Sequence, residues 1–404
     1  MQQDSFPFES TPYRWVILVV SSAILALTMG QLVNGLAAYV VPLTSAEGWS
    51  RADISLINTS GLIGLALGSL VMGFAAEKYG IRRIAILGIS SVGLATLIAS
   101  RASELWQFYV LFFIAGALGG GALSAPLMAL VGSWFVRGVG LAIGICSAGQ
   151  ALGQGGVPFT GTLLIEALGW RDAMAVQGII TLAALLPLAL FLRDAPLSAT
   201  QSALPDETPS GLPNTVITVW LSIAVIFCCL CMAVPLMHLV PLVQGRGFTP
   251  PEAGGVLFTM LMVAIAGRLA FGRLADMIGA IPAYLVASGW QTVLVFGFTY
   301  MARLDSFYLY AAVYGFGYAG VMTTLLVTVR NLSAPARRAS TLGVVVAFAY
   351  LGHGIGGWQG GYFFDITGDY KWTYTIAAFA GVINLMMISA LWMTVNRRPG
   401  AVAA

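Results

Sequence analysis

Arg268 is the only full charge that falls deep inside an apolar segment of this 404-residue chain. A lone cation in hydrocarbon is costly and marks a functional position by default. Its guanidinium is a planar fork of donors that fits a carboxylate through two parallel hydrogen bonds, and burial strengthens such a pair. The plainer reading is an arginine that snorkels to the interface or bonds helix carbonyls. Two histidines accompany it. His353 can donate a hydrogen bond when neutral or carry a proton when charged, so it is a candidate second anion contact, a proton carrier, or simply a packed side chain. His238, beside Pro235 and Pro241, reads as a gate or bend residue and as a second proton-coupling candidate. Tyr314 and Tyr318 are four apart, as are Gln150 and Gln154, while Gln31 and Asn34 are three apart; either spacing puts a pair on one helical face. Such tyrosines would wall a binding pocket, although core or lipid-facing tyrosines share the spacing.

Stepping outward from these residues, the elements that carry them must be membrane helices. The composition is 58% hydrophobic and 9% charged, with a mean hydropathy of +0.88, which excludes a soluble domain. Twelve apolar stretches long enough to span a bilayer are predicted near 15–42, 53–76, 84–100, 105–131, 138–163, 172–192, 217–243, 253–275, 282–302, 307–329, 339–364 and 373–395. Arg268 then stands eight residues before Asp276, about 12 Å along the helix and close to mid-bilayer. His353 stands 15 residues past Arg338, about 22 Å along its own helix. All sixteen acids are expected in loops, tails or first helical turns.

The halves repeat. Gly48-Trp49-Ser50-Arg51-Ala52-Asp53 returns as Gly247-Phe248-Thr249-Pro250-Pro251-Glu252, and Gly73, Glu77 and Gly80 return as Gly272, Asp276 and Gly279, always 199 residues on. At that offset Arg268 faces Ser69, so the cation is an asymmetric addition. Aligning Arg137 with Arg338 instead, and Gly153 with Gly354, pairs His353 with Leu152. The expected architecture is an all-α membrane protein of 12 transmembrane helices in two pseudo-symmetric six-helix bundles, 1–192 and 216–404, joined by a Pro/Ser/Thr-rich cytoplasmic linker at 193–215. Twelve of the nineteen Lys and Arg fall on one side of the predicted topology and six on the other, so both termini are expected in the cytoplasm, with the chain in the inner (plasma) membrane. The net charge of +3 belongs to this orientation and not to nucleic acid.

The loop Gly73-Phe-Ala-Ala-Glu77-Lys78-Tyr-Gly80-Ile-Arg82-Arg83 resembles the signature of the major facilitator superfamily, with Glu77 where an Asp is usual, and its echo ends at Asp276 without the basic pair. The resemblance implies that Gly73, Glu77, Gly80, Arg82, Arg83 and Asp276 form a conformational switch. Gly48-Trp49-Ser50-Arg51-Ala52, Trp134-Phe-Val-Arg137 running to Gly149, His238-Leu-Val-Pro241 and Arg268-Leu-Ala-Phe-Gly272 are similar to the bacterial monocarboxylate transporter family, whose relatives the oxalate/formate antiporters share the helix 8 arginine. That likeness implies that Arg268 holds a substrate carboxylate and that Tyr314 and Tyr318 line the cavity. The antiporters' helix 11 lysine is His353 here. The acid that precedes the arginine by one turn in animal relatives is Ala264, and the family's helix 1 lysine is missing around Asn34 and Gly35.

The function expected is a secondary carrier of small organic anions, foremost monocarboxylates, working by alternating access as a monomer, with protons as candidate co-substrates. An oxalate-type dicarboxylate exchanger and a non-transporting membrane sensor are the alternatives. No enzyme is expected, since no nucleophile and base converge. No cofactor or metal is expected either. Cys146, Cys228, Cys229 and Cys231 lie in apolar segments and read as packing residues, and the glycines from Gly116 to Gly121 sit in an apolar helix with no strand before them.

Overall fold

The computed structural model describes residues 12–135, 139–194, 208, 211–334 and 337–397, and the fold is all-helical over them. Arg137 and most of the linker lie outside the described residues. The helices are α1 (Tyr13–Met29), α2 (Val40–Glu47), α3 (Arg51–Tyr79), α4 (Ile81–Ala99), α5 (Leu105–Ile114), α6 (Gly121–Trp134), α7 (Val139–Leu168), α8 (Trp170–Ala189), α9 (Asn214–Gln244), α10 (Pro250–Ile278), α11 (Ala280–Val295), α12 (Leu304–Leu332), α13 (Arg338–Thr367) and α14 (Lys371–Asn396). Helix α1 runs on through a π-turn at Gly30–Asn34 and a 3-10 turn at Gly35–Ala38, and a second π-turn, Ala115–Gly120, joins α5 to α6. Ten helices among the described residues are long and apolar enough to cross a membrane; α3 and α7 are of similar length, 29 and 30 residues.

The duplication is visible in the backbone. Helix α3 maps onto α10, and α7 onto α13, with both ends displaced by 199 residues. The positive-φ glycines Gly48, Gly80 and Gly169 recur as Gly247, Gly279 and Gly368 at the same step. A positive-φ backbone that glycine adopts cheaply therefore separates the same elements in each half. The α7/α13 match corrects one pairing: His353 corresponds to Gln154, not Leu152. Both positions are polar, and Arg137 and Arg338 give the other pairing because they differ by 201 rather than 199.

The described residues form two compact units, one of residues 1–35 and 63–198, the other of 36–62 and 199–404. In the first, α4 packs on α8 and α1 on α7; in the second, α10 packs on α12 and α9 on α13. Helix α3 begins in the second unit and ends in the first. The acids Glu47, Glu77, Glu166, Asp276 and Asp365 stand in the last turns of α2, α3, α7, α10 and α13, not in loops or first turns, because these helices run longer than their apolar cores. Cys146, Cys228, Cys229 and Cys231 are buried and form no disulfide.

Candidate substrate site

Helix α10, which carries Arg268, is started by a reciprocal cap. The Thr249 backbone N–H and hydroxyl both reach Glu252 Oε2 at 2.8 Å, and two prolines follow at the helix start, where a missing N–H is harmless. Ser50 and Asp53 make the matching cap on α3. About five turns beyond Thr249, α10 meets α12 backbone to backbone. A Cβ on Gly267 would lie 2.0 Å from the Phe316 carbonyl oxygen, and the same contact recurs in the first unit, where a Cβ on Gly68 would lie 2.0 Å from the Ala117 carbonyl oxygen.

This approach brings Arg268 alongside Tyr318, close enough for the two to interact electrostatically. Arg268 is densely surrounded by protein atoms yet keeps part of its side chain accessible, as a ligand-binding cation must. Tyr318 stacks on Tyr314, with ring centroids 6.0 Å apart and planes at 24°. Tyr314 is fully buried and its hydroxyl has no partner among the described residues. Aromatic contacts continue from Tyr314 to Phe298 at 5.2 Å, from Phe298 to Tyr374 at 6.2 Å and from Tyr374 to Tyr370 at 6.4 Å. The ladder thus runs from the arginine to the start of α14.

At its far end the ladder meets His238. The His238 Nε2 lies 2.7 Å from the Gly357 carbonyl oxygen. A carbonyl can only accept, so Nε2 carries the hydrogen and Nδ1 is left as a lone pair, buried and without a partner among the described residues. The His238 ring is 5.4 Å from that of Tyr370. Tyr370 also accepts a hydrogen bond from the Arg51 guanidinium. Burial pushes its hydroxyl up to about 12, against the pull of Arg51, so it stays neutral. Sequence reasoning missed Arg51, Asp365 and Tyr370. The signal was present in the repeat, where Arg51 occupies the position that Pro250 fills in the second half. His353, half-buried on α13, keeps its Nε2 enclosed with no partner among the described residues. The Gly354 carbonyl next to it accepts the Thr59 hydroxyl at 2.8 Å.

The polar residues of the first unit are arranged differently from their spacing. Gln31 donates through Nε2 to Thr181 Oγ1 at 2.6 Å and to the Gln177 carbonyl at 3.3 Å, whereas Asn34 donates through Nδ2 to the Gln154 carbonyl at 3.2 Å. One amide leans on α8 and the other on α7, because the π-turn that contains both changes the angular step between them. In the signature loop, Gly80 has φ +84°, Arg82 donates through Nε to the Leu192 carbonyl at 3.0 Å, and the Ile81 N–H is received by Asp194 at 3.2 Å. Arg83 and Asp276 are exposed. Gly73 and Glu77 lie on α3, and the surroundings of Gly73 and the side chain of Glu77 fall outside what is described.

Ten helices among the described residues that are long and apolar enough to cross a membrane, one of them carrying a cation deep along its length, mark a multi-pass membrane protein. The chain belongs to the Major Facilitator Superfamily, whose family profile matches residues 19–357. It is 28% identical over 325 residues to the 3-(3-hydroxy-phenyl)propionate transporter of Escherichia coli (strain K12), covering 77% of each chain. It is 25% identical over 376 residues to monocarboxylate transporter 13 of Rattus norvegicus, covering 90% of this chain and 86% of the relative. Among solved structures it resembles a D-xylose-proton symporter, with a TM-score of 0.75 at 16% identity over 93% of this chain and 97% of that one. These relatives are membrane transporters and not enzymes, and the shared fold is that of the superfamily.

Proposed function

We propose that the chain is a secondary carrier of small organic anions, foremost monocarboxylates, that works by alternating access with Arg268 as the carboxylate anchor. The observation that carries this reading is the placement of Arg268 deep along α10, partly accessible and within electrostatic reach of Tyr318. A fork of donors with a neutral phenol at its side suits a carboxylate, since the guanidinium supplies the charge and the phenol a further donor. Two relatives whose names specify organic acids support the same class.

In this reading Tyr314 and Tyr318 wall the substrate's path, and Gln31 and Asn34 contribute polar contacts. His353 and His238 are the candidates for carrying a proton, since each keeps a ring nitrogen without a partner among the described residues. Residues 1–192 and 216–404 act as the two moving halves around the 193–215 linker. The carrier works as a monomer in the inner membrane with both termini in the cytoplasm. The enclosed His353 Nε2 also favours a second reading, exchange of dicarboxylates, in which His353 takes the second carboxylate. Uptake of a panel of labelled mono- and dicarboxylic acids into proteoliposomes, with and without a pH gradient, tests the proposal. Saturable uptake of monocarboxylates is expected. No uptake of any acid would overturn the proposal, and uptake confined to diacids would select the second reading.

A further inference from the structure

We infer that the first unit carries a donor-seeking subsite, formed by Gln31 Oε1 and Asn34 Oδ1, that recognises a hydroxyl group on the transported acid. The inference rests on the organic-anion reading above and narrows the cargo to hydroxylated carboxylates. It begins with which way the two amides must point. Gln31 Nε2 meets the Gln177 carbonyl and Asn34 Nδ2 meets the Gln154 carbonyl. Carbonyls accept and never donate, so the NH2 end of each amide is held against its carbonyl, and rotating either amide by 180° would set oxygen against oxygen. The oxygens are thereby fixed as acceptors that face away from those carbonyls.

Neither oxygen has a hydrogen-bond partner among the described residues, although Asn34 is 1% exposed and Gln31 8%. Leaving a buried acceptor unmet is costly, and two lie three residues apart on the same turn. That turn is a π-helix, Gly30–Asn34, a form that occurs mostly as single turns at functional sites. It is held open by close packing. A Cβ on Gly30 would lie 2.4 Å from the Gly153 carbonyl oxygen, and one on Gly153 would lie 1.8 Å from the Ala26 carbonyl oxygen. The subsite is therefore rigid, acceptor-only and uncharged. It cannot hold a carboxylate, which brings no hydrogen to donate. A neutral O–H group meets it, each hydroxyl supplying the single hydrogen that one of the two acceptors lacks.

The test is equilibrium binding and proteoliposome uptake of acids in matched pairs that differ by one hydroxyl, including 3-(3-hydroxyphenyl)propionate with 3-phenylpropionate and lactate with propionate. The best-bound pair decides. Wild-type protein is expected to favour the hydroxylated member roughly tenfold or more, the ratio that one met acceptor supplies. Asn34→Leu and Gln31→Met, which keep volume but remove the acceptors, should bring that ratio towards one, with thermal unfolding and size-exclusion profiles showing that the variants fold. Equal binding of both members by the wild type, or a preference unchanged in both variants, would overturn the subsite and leave Arg268 as anchor. Failure of every acid to bind would overturn the anion reading on which it depends.

Discussion

Asp365, in the last turn of α13, caps the first turn of α3 at Arg51: its two carboxylate oxygens receive the backbone N–H groups of Arg51 at 3.0 Å and Ala52 at 2.7 Å. A helix start has four N–H groups without intrahelical partners and a positive dipole end, so an acid from another helix serves both needs. The Arg51 side chain adds to the joint by lying over the Phe364 ring at 3.7 Å. Gly361 makes room, since a Cβ there would lie 2.5 Å from the Arg51 carbonyl carbon.

Removing this cap should loosen the start of α3. Asp365→Ala is expected to cost about 1 kcal/mol, the usual worth of a cap, and Asp365→Asn less, because one acceptor remains. Thermal unfolding of the purified protein, with a thiol probe on a cysteine placed at Ala52, reads both effects. Equal melting and equal labelling for wild type and Asp365→Ala would refute the joint.

The α10–α12 contact that positions Arg268 should tolerate no side chain at Gly267. Gly267→Ala would put a methyl 2.0 Å from the Phe316 carbonyl oxygen, so the helices must separate, whereas a Cβ at Gly289 on α11 meets nothing within 4 Å. Gly267→Ala is expected to lower stability by roughly 1–3 kcal/mol and weaken substrate binding, and Gly289→Ala to do neither. Parallel melting and binding curves for the two variants settle it, and matching behaviour would show that the close approach does not place the arginine.

Most of the architecture was legible because hydrophobic length is a strong signal, and every predicted span has its helix within a few residues. The offset of 199 was readable from Gly48 and Gly247 before any backbone was known. What escaped were features decided by a neighbour rather than by the local run. Gln31 and Asn34 have the spacing of a shared face, but the π-turn sends them to different helices. Arg51 looked like one of several loop cations, and only the return of α13 past α3 reveals its partners Asp365 and Tyr370. Thr181, which receives Gln31, carried no sequence signal at all.

The signature loop should govern turnover. Arg82 ties the start of α4 to the carbonyl of Leu192 just past α8, so its loss frees an end that a conformational switch needs fixed. Arg82→Ala, and Glu77→Gln in the same loop, are expected to slow transport several-fold with little change in substrate affinity. Stopped-flow uptake alongside equilibrium binding separates the two quantities. A loss of affinity with unchanged turnover would place these residues in binding instead.

His353 offers a way to redirect specificity. A lysine there would set a second fixed cation on α13, so His353→Lys should raise the preference for dianions such as oxalate over monocarboxylates by tenfold or more, if the side chain reaches the substrate. Competition between labelled lactate and oxalate measures the ratio. An unchanged ratio in folded protein would assign His353 to packing.

The central claim is that Arg268 holds the carboxylate, and binding of the best-transported acid to purified Arg268→Lys and Arg268→Ala tests it most directly. Both variants should lose at least a hundredfold in affinity, the lysine included, because a point charge does not reproduce the two-pronged contact of the guanidinium. The uncharged amide of the same acid should bind wild type and variants alike, poorly. Near-normal affinity for the acid in Arg268→Ala would contradict the account.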